Sequence, residues 1–135
     1  RADHLPPNAH AEFYGRQRWT LNITRADMRA AGHSPSVRLF EAAACGTPII
    51  SDVWPGIEDV LEPHEELMIA RTSEDVVRLL REVAPYEAQR IARAARARVL
   101  SAHSSERRAD ELIAYLHGAH RGAGSPDEAR KVASA

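Results

Sequence analysis

Residues 36–52, SVRLFEAAACGTPIISD, contain the pattern that decides the fold. Just before this stretch, Ser34 followed by Pro35 is typical of a helix N-cap with proline at the first helical position. Gly46 supplies a stop signal at the other end. The sequence therefore predicts a helix over residues 35–45.

The second half of the same stretch predicts a strand. TPIISDV at 47–53 is short, apolar and bounded by proline, which is typical of a strand buried on both faces. Further strands are predicted from RWTLNITR at 18–25, which alternates between two faces, and from ELMIA at 66–70. Helices are predicted between and after these strands, with a capping box at Thr72 and Asp75, and with long helical patterns at 86–100 and 105–118. This alternation indicates an α/β fold, a Rossmann-like parallel sheet flanked by helices.

Composition excludes several classes of protein. The 135 residues are 44% apolar and 27% charged, which is ordinary for a globular chain. Eighteen basic and nineteen acidic side chains nearly cancel, so the charge does not favour nucleic acid as a partner. The chain has no apolar run of about 20 residues and no signal-peptide core, so we expect no membrane span. With a single cysteine, Cys45, we expect a cytoplasmic location. Of the seven histidines, only His117 and His120 have a helical i, i+3 spacing, and no acidic or thiol partner accompanies them, so no metal site is expected.

Glu41 is the one charged residue between Leu39 and Cys45. Burying a carboxylate without a partner is costly, so the side chain either points to solvent or holds something. The simplest interpretation is an exposed residue, or a salt bridge to Arg38 one turn earlier. The alternative is that the Glu41 carboxylate binds a ligand.

The N-terminus of the predicted helix is suited to an anion. In a parallel sheet it faces the crevice at the carboxyl ends of the strands, and its free N–H groups and positive dipole end favour a phosphate. Glu41 lies on the same stripe of the helix, about 9 Å along the axis at roughly 1.5 Å per residue. A carboxylate accepts hydrogen bonds well from the two neighbouring hydroxyls of a ribose. A nucleotide therefore fits this helix, with its diphosphate at the cap and its ribose at Glu41.

Residues 36–52 resemble the nucleotide-sugar-binding segment of glycosyltransferases of the GT-B fold, in which a glutamate before a small-residue run and Gly-x-Pro holds the donor's ribose. LNITRADM at 21–28, GIEDVLEPHEELMIA at 56–70 and RVLSAHSSERRADEL at 98–112 are similar to the spore-maturation-protein type of that superfamily. The resemblance covers roughly residues 4–117. It implies a truncated C-terminal, donor-binding half, without its first strands and its N-terminal domain.

The resemblance also implies roles for individual residues. Glu41 matches the ribose-binding glutamate, and the stretch that contacts the diphosphate matches Ser34, Pro35, Ser36, Val37 and Arg38. Many relatives have a sugar-contacting glutamate where this chain has His33, which follows Gly32. The basic pair that many relatives use on the diphosphate has no match here, and Arg25 and Arg38 are possible substitutes.

These features predict a glycosyltransferase domain that binds a nucleoside diphosphate sugar, such as a UDP- or GDP-sugar, for transfer to an unknown acceptor. The resemblance implies no cofactor and no required metal. It places no catalytic residue in this chain, which we expect to be inactive without its partner domain. The alternative is a non-catalytic α/β domain that binds a protein partner.

Two further expectations concern the organisation of the chain. Residues 1–117 are predicted to form the nucleotide-sugar-binding domain, and residues 118–135 a mobile tail, because the tail has few residues to bury. The predicted sheet has few strands, so an exposed edge is expected to allow self-association.

Overall fold

The structure is a computed structural model that describes residues 5–122. Its strands are β1 (Thr20–Asn22), β2 (Ile49–Ser51) and β3 (Met68–Ile69). Its helices are α1 (His10–Gly15), α2 (Ala26–Ala31), α3 (Val37–Ala44), α4 (Ser73–Glu82), α5 (Pro85–Ala102) and α6 (Ser105–Gly122). Short 3-10 turns lie at Pro7–Ala9 and Ile57–Asp59. None of the helices in this part of the chain is long and apolar enough to cross a membrane.

The chain divides into two compact units, residues 1–103 and 104–135. The first unit contains the sheet and helices α1 to α5, and the second contains α6. Helix α6 extends to Gly122, so it includes the start of the expected tail. The rest of that tail, residues 123–135, lies outside the described residues.

The sheet is parallel throughout, with strand order β1-β2-β3. Thr20 pairs in register with Ile49, and Ile50 pairs with Met68. The crossover from β1 to β2 contains α2 and α3, and the crossover from β2 to β3 contains the 3-10 turn at Ile57–Asp59. The predicted α/β sheet flanked by helices is confirmed.

Helices cover both faces of the sheet. Ile49 of β2 faces the larger core cluster, which includes Leu39, Ala42 and Ala43 of α3 together with α5 residues. Ile50, the next residue, faces a smaller cluster with Leu79 of α4. Both faces of β2 are therefore buried, as the uninterrupted apolar run predicts.

Strand β1 buries its polar side. Thr20, Asn22 and Thr24 are buried, whereas Leu21 and Ile23 are exposed, Ile23 by 66%. Asn22 Nδ2 donates to Ser51 Oγ at 3.0 Å, and Thr24 Oγ1 donates to Asp52 Oδ1 at 2.8 Å, whereas Asn22 Oδ1 is buried without a partner among the described residues. The hydrogen bonds that are made offset part of the cost of burying this polar face under α3.

Helix α3 is shorter than the predicted span of residues 35–45. Its N-cap is Ser36 rather than Ser34, and no side chain caps it. Its end matches the prediction, since Gly46 has a φ of 72°, a value that favours glycine. Two backbone bonds, from the N–H of Gly46 to Ala43 O and from the N–H of Thr47 to Ala42 O, form a Schellman motif there.

The remaining helices follow the predicted patterns with one difference. The capping box at the start of α4 is present. Helix α5 buries Ile91, Ala95 and Val99 of its predicted apolar stripe. In contrast, Leu112, Ile113 and Leu116 on the predicted stripe of α6 are exposed. Apolar periodicity therefore identifies α6 as a helix but does not identify a surface that covers it.

We expect Thr72→Ala to lower the free energy of unfolding by about 1 kcal/mol, because it removes the hydroxyl that accepts from Asp75 N. Urea denaturation followed by circular dichroism measures the change. Ser101→Ala is the control, since that exposed hydroxyl bonds a carbonyl within α5 and caps no helix. Equal changes for the two variants would contradict the capping role.

Candidate functional site

The Glu41 carboxylate lies beside α1 and has two protein partners. Tyr14 donates its hydroxyl proton to Oε2 at 3.1 Å, and His10 Nδ1 lies 3.2 Å from Oε1. The side chain of Glu41 remains 33% exposed. Glu41 is therefore neither a free surface residue nor the partner of Arg38, which were the simplest interpretations of its sequence position.

His10 lies between two oxygen atoms. Its Nδ1 faces Glu41 Oε1, and its Nε2 lies 3.2 Å from the carbonyl oxygen of Leu5. Both oxygens are hydrogen-bond acceptors, so a neutral imidazole, with one N–H, satisfies one of them, and an imidazolium satisfies both. The ring also packs edge-on against Tyr14, with ring centroids 6.1 Å apart.

Tyr14 is held as a neutral hydrogen-bond donor. Burial raises its pKa, and the hydrogen bond to the negatively charged Glu41 raises it further, to about 12. The positive charge of Arg38 lowers the pKa of Tyr14, which indicates that the guanidinium lies near the phenol. At neutral pH the hydroxyl therefore keeps the proton that it donates to Glu41.

The N-terminus of α3 carries the other predicted contacts. Ser34, Pro35 and Ser36 are partly buried, whereas Val37 and Arg38 are exposed. Within residues 5–122, neither serine hydroxyl has a hydrogen-bond partner, and Arg38 forms no ion pair. The start of the helix therefore offers uncommitted donors and a positive charge to an anion.

The later start of α3 changes the spacing of the site. From Val37 to Glu41 is four residues, about 6 Å along the axis at roughly 1.5 Å per residue, rather than the expected 9 Å or so. The expected distance assumed that the helix began at Pro35. The first backbone N–H groups of α3 and the Glu41 carboxylate are thus closer together than the sequence suggested.

His33 lies in a loop that is closely packed against the turn after Trp54. It has a φ of 44°, donates its backbone N–H to Pro55 O at 2.8 Å, and places Nδ1 3.3 Å from Asp59 Oδ2. A Cβ on Gly56 would lie 2.3 Å from that same Nδ1, so only glycine permits this approach. The imidazole of His33 is mostly exposed, and its contact with the sugar of the nucleotide donor stays a prediction.

The other two predicted site residues flank α2. Arg25 is the N-cap residue of α2, is exposed, and forms no side-chain hydrogen bond or ion pair in the described part of the chain. Gly32 ends α2 with a φ of 65°. The structure therefore places Gly32 and His33 in the loop that leads into α3, and Arg25 one helix earlier.

A separate hollow of 540 Å³ lies on the α4 side of the sheet. Its lining includes Leu21, Ile23, Arg29, Asp52 and Val77, and none of the predicted site residues. Among residues 5–122, no group of three or more histidine, cysteine, aspartate or glutamate side chains could hold a metal ion. Ile23, Asp52 and Ala70 place this hollow just past the carboxyl ends of β1, β2 and β3.

Sequence reasoning missed His10 and Tyr14 as neighbours of Glu41. They are four residues apart, which places them on one side of a helix, and that spacing was the available signal. The contact with Glu41 spans 27 residues, however, and follows from packing of α1 against α3 that no local pattern encodes.

Comparisons with known proteins support this architecture. A family model described as glycosyl transferase-like matches residues 1–114. The solved structure of sucrose-phosphate synthase from Thermosynechococcus elongatus is similar, with 20% identity over 79% of this chain and a TM-score of 0.58. The match covers 27% of that chain, so our chain spans about a quarter of its length. This likeness shows a GT-B glycosyltransferase-like fold. A search of the curated proteins finds no match.

We expect the Tyr14 phenol to lose its proton near pH 12 instead of pH 10. Between these values the unfolded chain ionises first, so it holds fewer protons than the folded chain and the free energy of unfolding falls as pH rises. Tyrosinate absorbance of the wild type minus that of Tyr14→Phe isolates this group. A difference curve centred at pH 10 would contradict the buried hydrogen bond.

Proposed function

Since the chain belongs to the glycosyl transferase-like family, we propose that it binds a nucleoside diphosphate sugar, whose sugar is then transferred to an acceptor. Glu41 accepts hydrogen bonds from the two ribose hydroxyls, and the N-terminus of α3 binds the diphosphate. The observation that carries this proposal is that one short helix presents a partly exposed carboxylate and, a turn earlier, an exposed N-terminus with an unpaired arginine.

The carboxylate retains the capacity that the proposal requires. Two carboxylate oxygens offer about four acceptor sites. Tyr14 and His10 occupy one site on each oxygen of Glu41. One site on each oxygen thus remains for a pair of neighbouring hydroxyls, and the 33% exposure gives them access.

The N-terminus of α3 supports binding of the diphosphate. No side chain caps the helix, so its first N–H groups are available to an anion, and the helix dipole adds to the attraction. The Ser34 and Ser36 hydroxyls and the Arg38 guanidinium supply further donors. Pro35 and Val37 shape the backbone between them. When the sugar leaves, these positive groups stabilise the charge that develops on the diphosphate.

The remaining predicted site residues and the acceptor lie outside the contacts made by Glu41 and the N-terminus of α3. The proposal assigns His33 and Gly32 to the outer phosphate and the sugar, and Arg25 to the diphosphate as a second cation. The proposal assigns no metal ion and no catalytic base to this chain, and it places the acceptor on a partner domain of the same protein in the cytoplasm. The comparisons do not favour the alternative, a non-catalytic interaction domain.

We expect Glu41→Gln to weaken binding of UDP, GDP or ADP, whichever binds best, by roughly 10- to 100-fold, because hydrogen bonds to a charged group contribute about 1.5–3 kcal/mol. Isothermal titration calorimetry on the 135-residue chain measures the affinity. Glu82→Gln, at the exposed end of α4, is the matched control. Equal affinity in wild type and Glu41→Gln would overturn the ribose role.

We expect Arg38→Gln to reduce the gain in affinity from a nucleoside monophosphate to its diphosphate by about three- to tenfold, and to make binding less sensitive to salt. Arg93→Gln, which removes an exposed arginine on α5, is expected to change neither quantity. If both variants behave alike, Arg38 is not a diphosphate ligand.

A further inference from the structure

We propose that His10 and Tyr14 are positioning residues that orient the Glu41 carboxylate, so that the site selects ligands with two neighbouring hydroxyl groups. This inference rests on the proposed function, because it concerns the same ribose contact. It goes further by assigning selectivity for a vicinal diol to two residues of α1 that do not themselves touch the ligand.

Tyr14 fixes one carboxylate oxygen. Its ring belongs to the main core cluster and is 6% exposed, so the hydroxyl has little freedom to move. The O–H bond to Glu41 Oε2, 3.1 Å long, therefore sets the rotation of the carboxylate about its last side-chain torsion, which is otherwise broad. With that torsion fixed, the open lone pairs of both oxygens point in defined directions.

His10 fixes the other oxygen. When Nδ1 carries a proton, it donates to Glu41 Oε1 at 3.2 Å, while Nε2 lies 3.2 Å from the Leu5 carbonyl oxygen. Only 29% of this side chain is exposed, so the ring is partly shielded from competing water. Two donors from one helix thus hold the two oxygens of a single carboxylate.

This arrangement determines what the carboxylate can accept. A free carboxylate can turn to bind one donor with both oxygens. With one site on each oxygen occupied, Glu41 keeps one free acceptor site on each oxygen. The distance between the two oxygens therefore sets the spacing of these two sites. Two hydroxyls on adjacent carbons match this pair of acceptors better than a single hydroxyl does.

The hydroxyl of Tyr14 is not required to attach α1 to the rest of the first unit. The Tyr14 carbonyl oxygen already accepts a bond from Thr47 Oγ1 at 2.8 Å, and the ring is packed in the core. Removing the hydroxyl alone should therefore leave α1 in place while it frees the carboxylate to rotate. This separates a positioning role from a purely structural one.

The test compares the affinities of the chain for a ribonucleoside diphosphate and for its 2′,3′-dideoxy analogue by calorimetry. Tyr14→Phe and His10→Leu each remove one donor, and His10→Asn retains an N–H donor close to the position of Nδ1. We expect the preference for the ribonucleotide to fall about three- to tenfold in Tyr14→Phe and His10→Leu, and His10→Asn to restore much of it. Affinity for the dideoxy analogue should change little.

Each outcome distinguishes the two proposals. If the wild type binds the nucleotide without preferring the ribose hydroxyls, or does not bind it, the proposed function fails. If the wild type has this preference and the Tyr14 and His10 variants retain it, only the positioning role fails. Equal loss of affinity for both nucleotides, with a lower melting temperature by circular dichroism, would also overturn positioning, because it indicates a structural effect.

Discussion

The close contact between α3 and the elements beneath it is the constraint on which the site depends. Ala42 and Ala43 are fully buried, and their small side chains let the helix backbone approach the sheet and α5. The end of α3 is fixed as well, because Arg96 Nε of α5 donates to Ala44 O at 3.0 Å. Because the rotation of α3 about its axis and the position of its C-terminal end are both fixed, each of its other side chains points in a defined direction.

This packing explains why a charged residue can stand in an apolar run. On a helix, consecutive residues are separated by about 100°, so a residue next to two buried alanines lies at the edge of the buried face. Glu41 occupies that edge and is one-third exposed. There it is shielded enough for the bonds from His10 and Tyr14 to matter, and open enough to meet a ligand. A fully exposed carboxylate would gain less from the same bonds, since water competes for it.

The features predicted correctly from sequence are local ones. The Gly46 helix stop, the capping box at Thr72 and the buried strand β2 each follow from a few adjacent residues. The predictions that failed required long-range packing. Ser34 and Ser36 are equally good N-cap residues by type, and the loop contact between His33 and Pro55 accompanies a later helix start.

The buried face of strand β1 likewise does not follow from its local sequence. Its alternation was evident, but hydrophobicity alone suggests that Leu21 and Ile23 form the buried side. The structure buries Asn22 instead, because Ser51 at the paired position of β2 supplies a hydrogen-bond partner. The register that brings these two polar residues together is a property of the sheet, and neither strand encodes it separately.

The later start of α3 also affects how a nucleotide would lie in the proposed complex. With the first helical N–H groups only about 6 Å along the axis from Glu41, they are suited to the phosphate next to the ribose. The outer phosphate and its sugar then extend beyond the helix, toward the loop that contains His33. That loop is held by the bond to Pro55 and by the close approach of Gly56. In the proposed complex, this loop rather than the helix itself would therefore lie next to the sugar.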